Sequence, residues 1–194
     1  MKKIITLNLL LALSTYVFAQ HEHHEAKADT TKPVAKPKSP RQMAMDMVGE
    51  NHVHIDYGSP SVRGRSIWNG LVAYNQVWAT GAHKATWIEF GSDVKIAGKV
   101  VPKGKYGFFT IPNADTWTII ISKDWNMHLA DDYDENNDVI RVSVKPVVKE
   151  ETTEALTFKV KSVTEQKGII ILSWEYLEIP FDFENNIASQ EFKK

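Results

Sequence analysis

The 194-residue chain is 43% hydrophobic and 10% aromatic, enough apolar content for one domain with its own core. Net charge is −1, made of +4 on residues 1–41 and −5 on the rest; an acidic body without a basic stripe excludes nucleic acid as the main partner, because phosphate contacts need clustered Lys and Arg. The absence of cysteine excludes disulfides, a thiol nucleophile, Cys-ligated zinc or iron–sulfur, and a lipidated N-terminal Cys.

Lys2 and Lys3 precede an apolar run from Ile4 to Phe18 that only Thr6, Asn8, Ser14 and Thr15 interrupt. Val17-Phe18-Ala19 puts small residues three and one before a cut, so residues 1–19 read as a secretory signal and Gln20 as the mature N-terminus. As a helix, roughly 15 residues reach only about 22 Å, short of a ~30 Å hydrocarbon core. No later stretch is long and apolar enough to span a bilayer, so the expected location is periplasmic or extracellular. Residues 20–41 carry a His/Glu cluster and then Pro33, Pro37 and Pro40 among Lys, Ala, Ser and Thr, a composition expected to stay disordered. His21, His23 and His24 have two readings, a loose transition-metal scavenger or a solvated tail.

A folded domain is expected over 42–186, with a short tail at 187–194. From Asn51 the pattern has period two: Val53, Ile55 and Tyr57 alternate with His52, His54 and Asp56. Comparable runs are Trp87–Phe90, Val94–Ile96, Tyr106–Ile111, Trp117–Ile121, Ile140–Val144, Leu156–Val160, Ile169–Trp174 and Leu177–Phe183, with turn residues such as Ala97-Gly98-Lys99 and Gln166-Lys167-Gly168 between them. About nine short strands predict an all-β antiparallel sandwich or partly closed barrel. Val53, Ile55, Phe108, Ile119, Val142, Phe158 and Ile171 are expected in one core. Two connections, 58–85 and 123–138, exceed the usual loop length and are the places to look for function.

The first connection carries Asp56-Tyr57-Gly58-Ser59-Pro60-Ser61-Val62-Arg63-Gly64-Arg65, then Ile67-Trp68-Asn69-Gly70-Leu71-Val72, then Val77-Trp78-Ala79-Thr80-Gly81-Ala82-His83-Lys84-Ala85-Thr86. Gly104-Lys105-Tyr106-Gly107-Phe108-Phe109-Thr110-Ile111-Pro112 and Trp117-Thr118-Ile119-Ile120 follow. In this order the segments resemble the bacterial exported family labelled domain of unknown function 2911, over roughly Asp46 to Phe183. The resemblance implies a β-sandwich-like exported domain and brings no activity or catalytic assignment. Many members have Arg where this chain has Ala79 and Asn where it has His83.

His52, His54 and Asp56 share one face of a strand. If the two long connections meet, His54, His83 and His128 are candidate ligands for a divalent transition metal such as Zn or Cu; the alternative is a solvated strand face and two loop histidines. The acidic run Asp131–Asp138 lacks the spacing of a calcium loop and reads as solvated. Trp68, Trp78 and Trp125, in or near the connections, are candidates to line a ligand cleft, with core packing as the alternative. Arg63 and Arg65 either hold an anion in bidentate fashion or pin their loop.

No G-x-S-x-G elbow, phosphate loop, dinucleotide fingerprint or H-E-x-x-H is present. The chain therefore reads as a non-enzymatic binding or envelope-associated module for a small molecule or an envelope component. The alternative is a metal-binding protein or metal-dependent enzyme. Mass spectrometry of the exported protein should give the mass of a chain starting at Gln20; an intact Met1 in the envelope fraction would refute the signal.

Overall fold

Strand β2 (Asn51–Gly58) shows how the alternation becomes a sheet: Asn51, Val53, Ile55 and Tyr57 are buried, while His52, His54 and Asp56 face the other way. The computed structural model describes residues 38–186. The signal, most of the predicted tail with its three histidines, and residues 187–194 lie outside the described residues. Nine further strands accompany β2: β1 (Arg41–Val48), β3 (Trp87–Phe90), β4 (Val94–Ile96), β5 (Lys99–Val101), β6 (Gly104–Ile111), β7 (Trp117–Ser122), β8 (Asp138–Val144), β9 (Val147–Ser162) and β10 (Lys167–Asn185). They form a six-stranded sheet in the order β1-β2-β3-β6-β7-β8 and a four-stranded sheet in the order β5-β4-β10-β9. Every pairing is antiparallel. The edges β1 and β9 run beside each other without a hydrogen-bonded ladder, so the two sheets form a sandwich and do not close into a barrel.

Ten strands replace the expected nine, for identifiable reasons. In β1 the outward positions Met43, Met45 and Met47 are apolar and exposed, while Ala44 and Val48 point inward, so no polar–apolar alternation marks the strand. That strand begins at Arg41, a residue before the expected domain start. The short β5 sits between turn residues. The runs at 169–174 and 177–183 are one strand, bent where Glu175 takes φ 54° and the register with β9 shifts on both sides.

The core lies between the sheets. Val53, Ile55, Phe108 and Ile119 meet Leu156, Phe158, Leu172, Phe181 and Phe183, and Val142 packs half-buried against them. Ile171 is a correction: it is half-buried on the outer side, and Ile170 and Leu172 supply the core. A run that is apolar at every position carries no parity, so its inward face cannot be read from spacing. A smaller cluster, Ala79, Ala85, Phe109 and Ile120 with Met127, Ala130 and Tyr133 against it, lies where the two long connections cover the outer side of β6 and β7. Both connections approach the sheet at glycines. A Cβ on Gly58 would stand 2.1 Å from the Ala82 carbonyl oxygen, and one on Gly107 2.1 Å from that of Asp124.

Phe108 lies 5.3 Å from the Phe158 ring and 6.1 Å from the Phe181 ring, both edge-on. Replacing Phe108 or Phe158 by Ala is expected to cost about 3–5 kcal/mol in urea unfolding. A cost below about 1 kcal/mol at both positions would contradict this placement of the core.

Candidate functional site

The first connection is held to β9 before it turns inward. The Val62 amide donates to the Glu154 carbonyl at 2.8 Å, and the Leu156 amide to the Pro60 carbonyl at 2.9 Å. Further on, Trp78 exchanges two backbone hydrogen bonds with Thr110, at 2.8 and 3.0 Å. Thr80 follows at φ 52°, a conformation that a β-branched residue seldom adopts. It is fully buried, its hydroxyl lies 3.1 Å from both the Trp78 carbonyl and the Thr110 hydroxyl, and its carbonyl accepts from the Thr86 hydroxyl at 2.9 Å. Those bonds hold the Trp78–His83 segment in a turn it would not otherwise keep.

Inside this turn lies a cavity of about 350 Å³. Trp78 and Trp174 form its aromatic wall, with near-parallel rings 5.9 Å apart at 21°. Their indole N–H groups donate to the carbonyls of Gly81 (3.2 Å) and Glu154 (3.3 Å), so the rings are fixed and present apolar surface. Leu71 and Leu129 continue the apolar lining, and the exposed side chains of Arg65 and His83 stand at the rim. The Arg65 guanidinium donates from Nε to the Val62 carbonyl (3.1 Å) and from Nη2 to the Ser61 carbonyl (2.5 Å). Among the described residues no carboxylate forms an ion pair with it.

Of the residues expected to line a cleft, Arg65 and Trp78 line this one. Arg63 instead clamps the loop, its amide donating to Glu154 Oε1 (2.9 Å) and its Nη2 to the Lys38 carbonyl (2.8 Å). Trp68 is packing: its ring stands edge-on 4.9 Å from Trp117 and 5.7 Å from Trp174. Trp125 lies apart from them, on the outer face, where it lines two other clefts, one with Asp124 and Asp132 and one with Arg41 and Trp87. There the Lys105 ammonium sits 4.9 Å from its ring and 3.9 Å from that of Trp87. Trp174 joins the wall unforeseen, because its strand position hides that one flank borders the cavity. A sequence cannot distinguish an indole that fills a sandwich end from one that borders a gap there.

The two long connections do meet. Ala85 N–H donates to the Met127 carbonyl (3.0 Å) and Leu129 N–H to the His83 carbonyl (2.7 Å), with Lys84 bridged to His128. The histidines do not gather with them. His83 stands at the cavity rim, the exposed His128 holds Asp131 Oδ2 at 2.9 Å through Nδ1, and His54 packs edge-on 4.8 Å from Trp87 on the outer face of β2. Among the described residues no three His, Asp or Glu side chains are placed to hold a metal ion. The predicted His54–His83–His128 centre is therefore not formed: the backbones meet, but the side chains serve different surfaces.

The acidic loop is structural in part. Asp134 caps a short 3₁₀ turn through the Asn136 amide (2.9 Å), and Asp138 Oδ2 accepts from Tyr133 (2.6 Å) and from Arg141 Nε (2.6 Å). Burial, then the bond to Asp138, raise the Tyr133 phenol above its ordinary pKa.

The family model described as protein of unknown function (DUF2911) matches residues 39–183. The chain belongs to this family. No curated protein and no solved structure matches it. In this DUF2911 domain, two segments of the first connection converge on the cavity, Arg65 from one and Trp78, Gly81, Ala82 and His83 from the next, with Leu129 and Trp174 from farther along the chain. Ala79 turns away into the smaller outer cluster, so an Arg at that position would not extend from the cavity wall.

The Tyr133 shift has a definite sign. A phenol whose pKa is raised by folding contributes stability that is present below its unfolded value, near 10, and is lost as pH rises through the folded value. Urea unfolding between pH 9 and pH 11 should show a steeper fall in stability for the wild type than for Tyr133→Phe. Equal slopes would mean that folding does not raise the pKa of this phenol.

Proposed function

We propose that this DUF2911 protein is an exported, non-enzymatic binding domain that holds a small organic acid in the Trp78–Trp174 cavity. The observation that carries the reading is the convergence of Arg65, Trp78 and His83 on one half-open cavity beside packed tryptophans. A volume of about 350 Å³ lies near the low end of the ~300–1,000 Å³ typical of ligand sites, which suits a one- or two-ring molecule. The aromatic wall favours a flat or aliphatic body. Arg65 supplies the polar recognition: two carbonyls take one N–H from Nε and one from Nη2, which orients the group and leaves its other N–H donors for a carboxylate. Ser39, Arg65 and His83 are the lining residues with polar side chains, and no carboxylate stands among the lining residues to orient His83 as a base. That absence favours binding over acid–base catalysis. The signal pattern at 1–19 supports export.

Phenylacetate and benzoate, titrated against their neutral amides and followed by tryptophan fluorescence, test the reading. The acids should saturate at or below about 10 mM, and Arg65→Gln should weaken them about tenfold or more while changing the amides less than about threefold, as expected for a charge-assisted hydrogen bond. No saturation by either acid, or equal losses for acids and amides, would sink the proposal.

A further inference from the structure

The exposed face of the β1–β2 hairpin presents four soft or borderline donors in register. Met45 stands opposite His54, and Met47 opposite His52. The hairpin turns over two residues, with Gly49 at φ 57° in the first turn position. The His52 carbonyl accepts from the Gly91 amide (2.9 Å) on the β3 side. The peptide groups of His52 and, two residues on, His54 therefore point toward β3, which makes both Met–His pairs the non-hydrogen-bonded kind, with Cα atoms about 4.5 Å apart and side chains close. Same-face neighbours along a strand lie about 6.8 Å apart. Two thioethers and two imidazoles thus spring from one small rectangle, and the His52 and His54 ring centres are 6.2 Å apart.

The hard ligands around this rectangle are engaged elsewhere. Asp56 is paired with Arg41, and Glu89 faces Lys105 at 4.0 Å. The soft ligands have no structural task that would explain them: Met45 and Met47 are about half exposed, at 52% and 47%, on an edge strand where a polar side chain would be less costly. His54 adds an independent observation. Its Nε2 is shut off from water and has no hydrogen-bond partner, an unfavourable arrangement unless something accepts or donates there.

From these observations we infer that Met45, Met47, His52 and His54 form a binding site for a single Cu(I) ion. Thioether sulfur selects Cu(I) among the common metals, imidazole is a ligand for it as well, and the lack of free carboxylates disfavours Zn²⁺ and harder ions. The flexible methionine side chains can close over the ion, and the Trp87 ring, edge-on at 4.8 Å, shields the His54 side. In a chain without cysteine, thioethers are the softest ligands present. None of the four residues lines the Trp78–Trp174 cavity, so this inference is independent of the proposed binding of organic acids.

The test uses the mature chain carrying His21→Ala, His23→Ala and His24→Ala, which removes the histidine cluster ahead of the domain as a competing site. Anaerobic titration with Cu(I) against a colorimetric Cu(I) chelator should show one ion bound, with sulfur scatterers in its X-ray absorption spectrum, and a tenfold excess of Zn²⁺ should not displace it. Met45→Leu/Met47→Leu, a near-isosteric change on an exposed face, should weaken binding about 100-fold or more at an unchanged melting temperature. His54→Gln should weaken it comparably, and Met43→Leu, opposite Asp56, less than about threefold. No bound Cu(I) in the tail-substituted protein, a spectrum with only nitrogen and oxygen scatterers, or undiminished affinity in the double Met variant would each overturn the site.

Discussion

Four indoles determine how this sandwich is closed at one end. Trp117 comes from β7 of the larger sheet and Trp174 from β10 of the smaller, both almost fully buried. Sheets packed face to face stand about 10 Å apart, and two indoles leave the space at that end unfilled. Trp68 and Trp78 enter it from the first long connection, four of the contacts being edge-to-face at 4.9 to 6.4 Å and one near-parallel at 5.9 Å. Large aromatic surfaces dominate such packing, and their edge-to-face geometry adds direction to it. The connection is thereby part of the core, and moving it would expose the whole cluster to water.

The cavity is a consequence of that closure. Trp78 and Trp174 lie nearly parallel and leave a gap on one flank, and the turn that follows Trp78 walls it off. This turn depends on backbone contact too close for a side chain, with Gly58 against Ala82, and on Thr80 held at positive φ by three hydroxyl contacts. Strain of this kind persists only where the surroundings over-determine it. Here the surroundings are Trp78, Thr86 and Thr110, which hold Thr80 in the segment that leads to His83. Arg65 is held equally well by two carbonyls of its own loop. A cavity preorganised in this way would lose little on capturing the proposed ligand.

The outer face of the larger sheet divides into two regions. Over β6 and β7 the two connections cover it, burying Phe109 and Ile120 under Met127, Ala130 and Tyr133. Over β1 and β2 it stays open, and there Met43, Met45, Met47 and His52 face solvent across two strands, with His54 half-buried against Trp87. Ion pairs and cation–π contacts, Arg41 with Asp56 and Lys105 with Trp87, mark the boundary between the two. Cavity and open face share neither strands nor side chains.

Period-two spacing by itself determined the all-β class, most strand positions, and the inward faces of strands with mixed polarity, such as Val53–Ile55 and Phe108. The ordered motifs from Asp56 to Ile120 were enough to point to the family. The alternation did not reach β1, whose outward residues are methionines, or Ile171, whose run is apolar on both sides. The candidate site was legible in part: Arg65, Trp78 and the rim residue His83 were singled out, and the meeting of the two long connections was foreseen as a condition. Only the tertiary structure decided that Trp174 completes the wall while Trp68 fills the core and Trp125 stands on another surface. It also separated His54 from His83 and His128, although the backbones of the two connections join. The physical reason is common to these cases. Local spacing settles which way a side chain leaves its own strand, but what it meets there depends on residues 30 to 100 positions away, brought together by sheet pairing and by the shape of the indoles between the sheets.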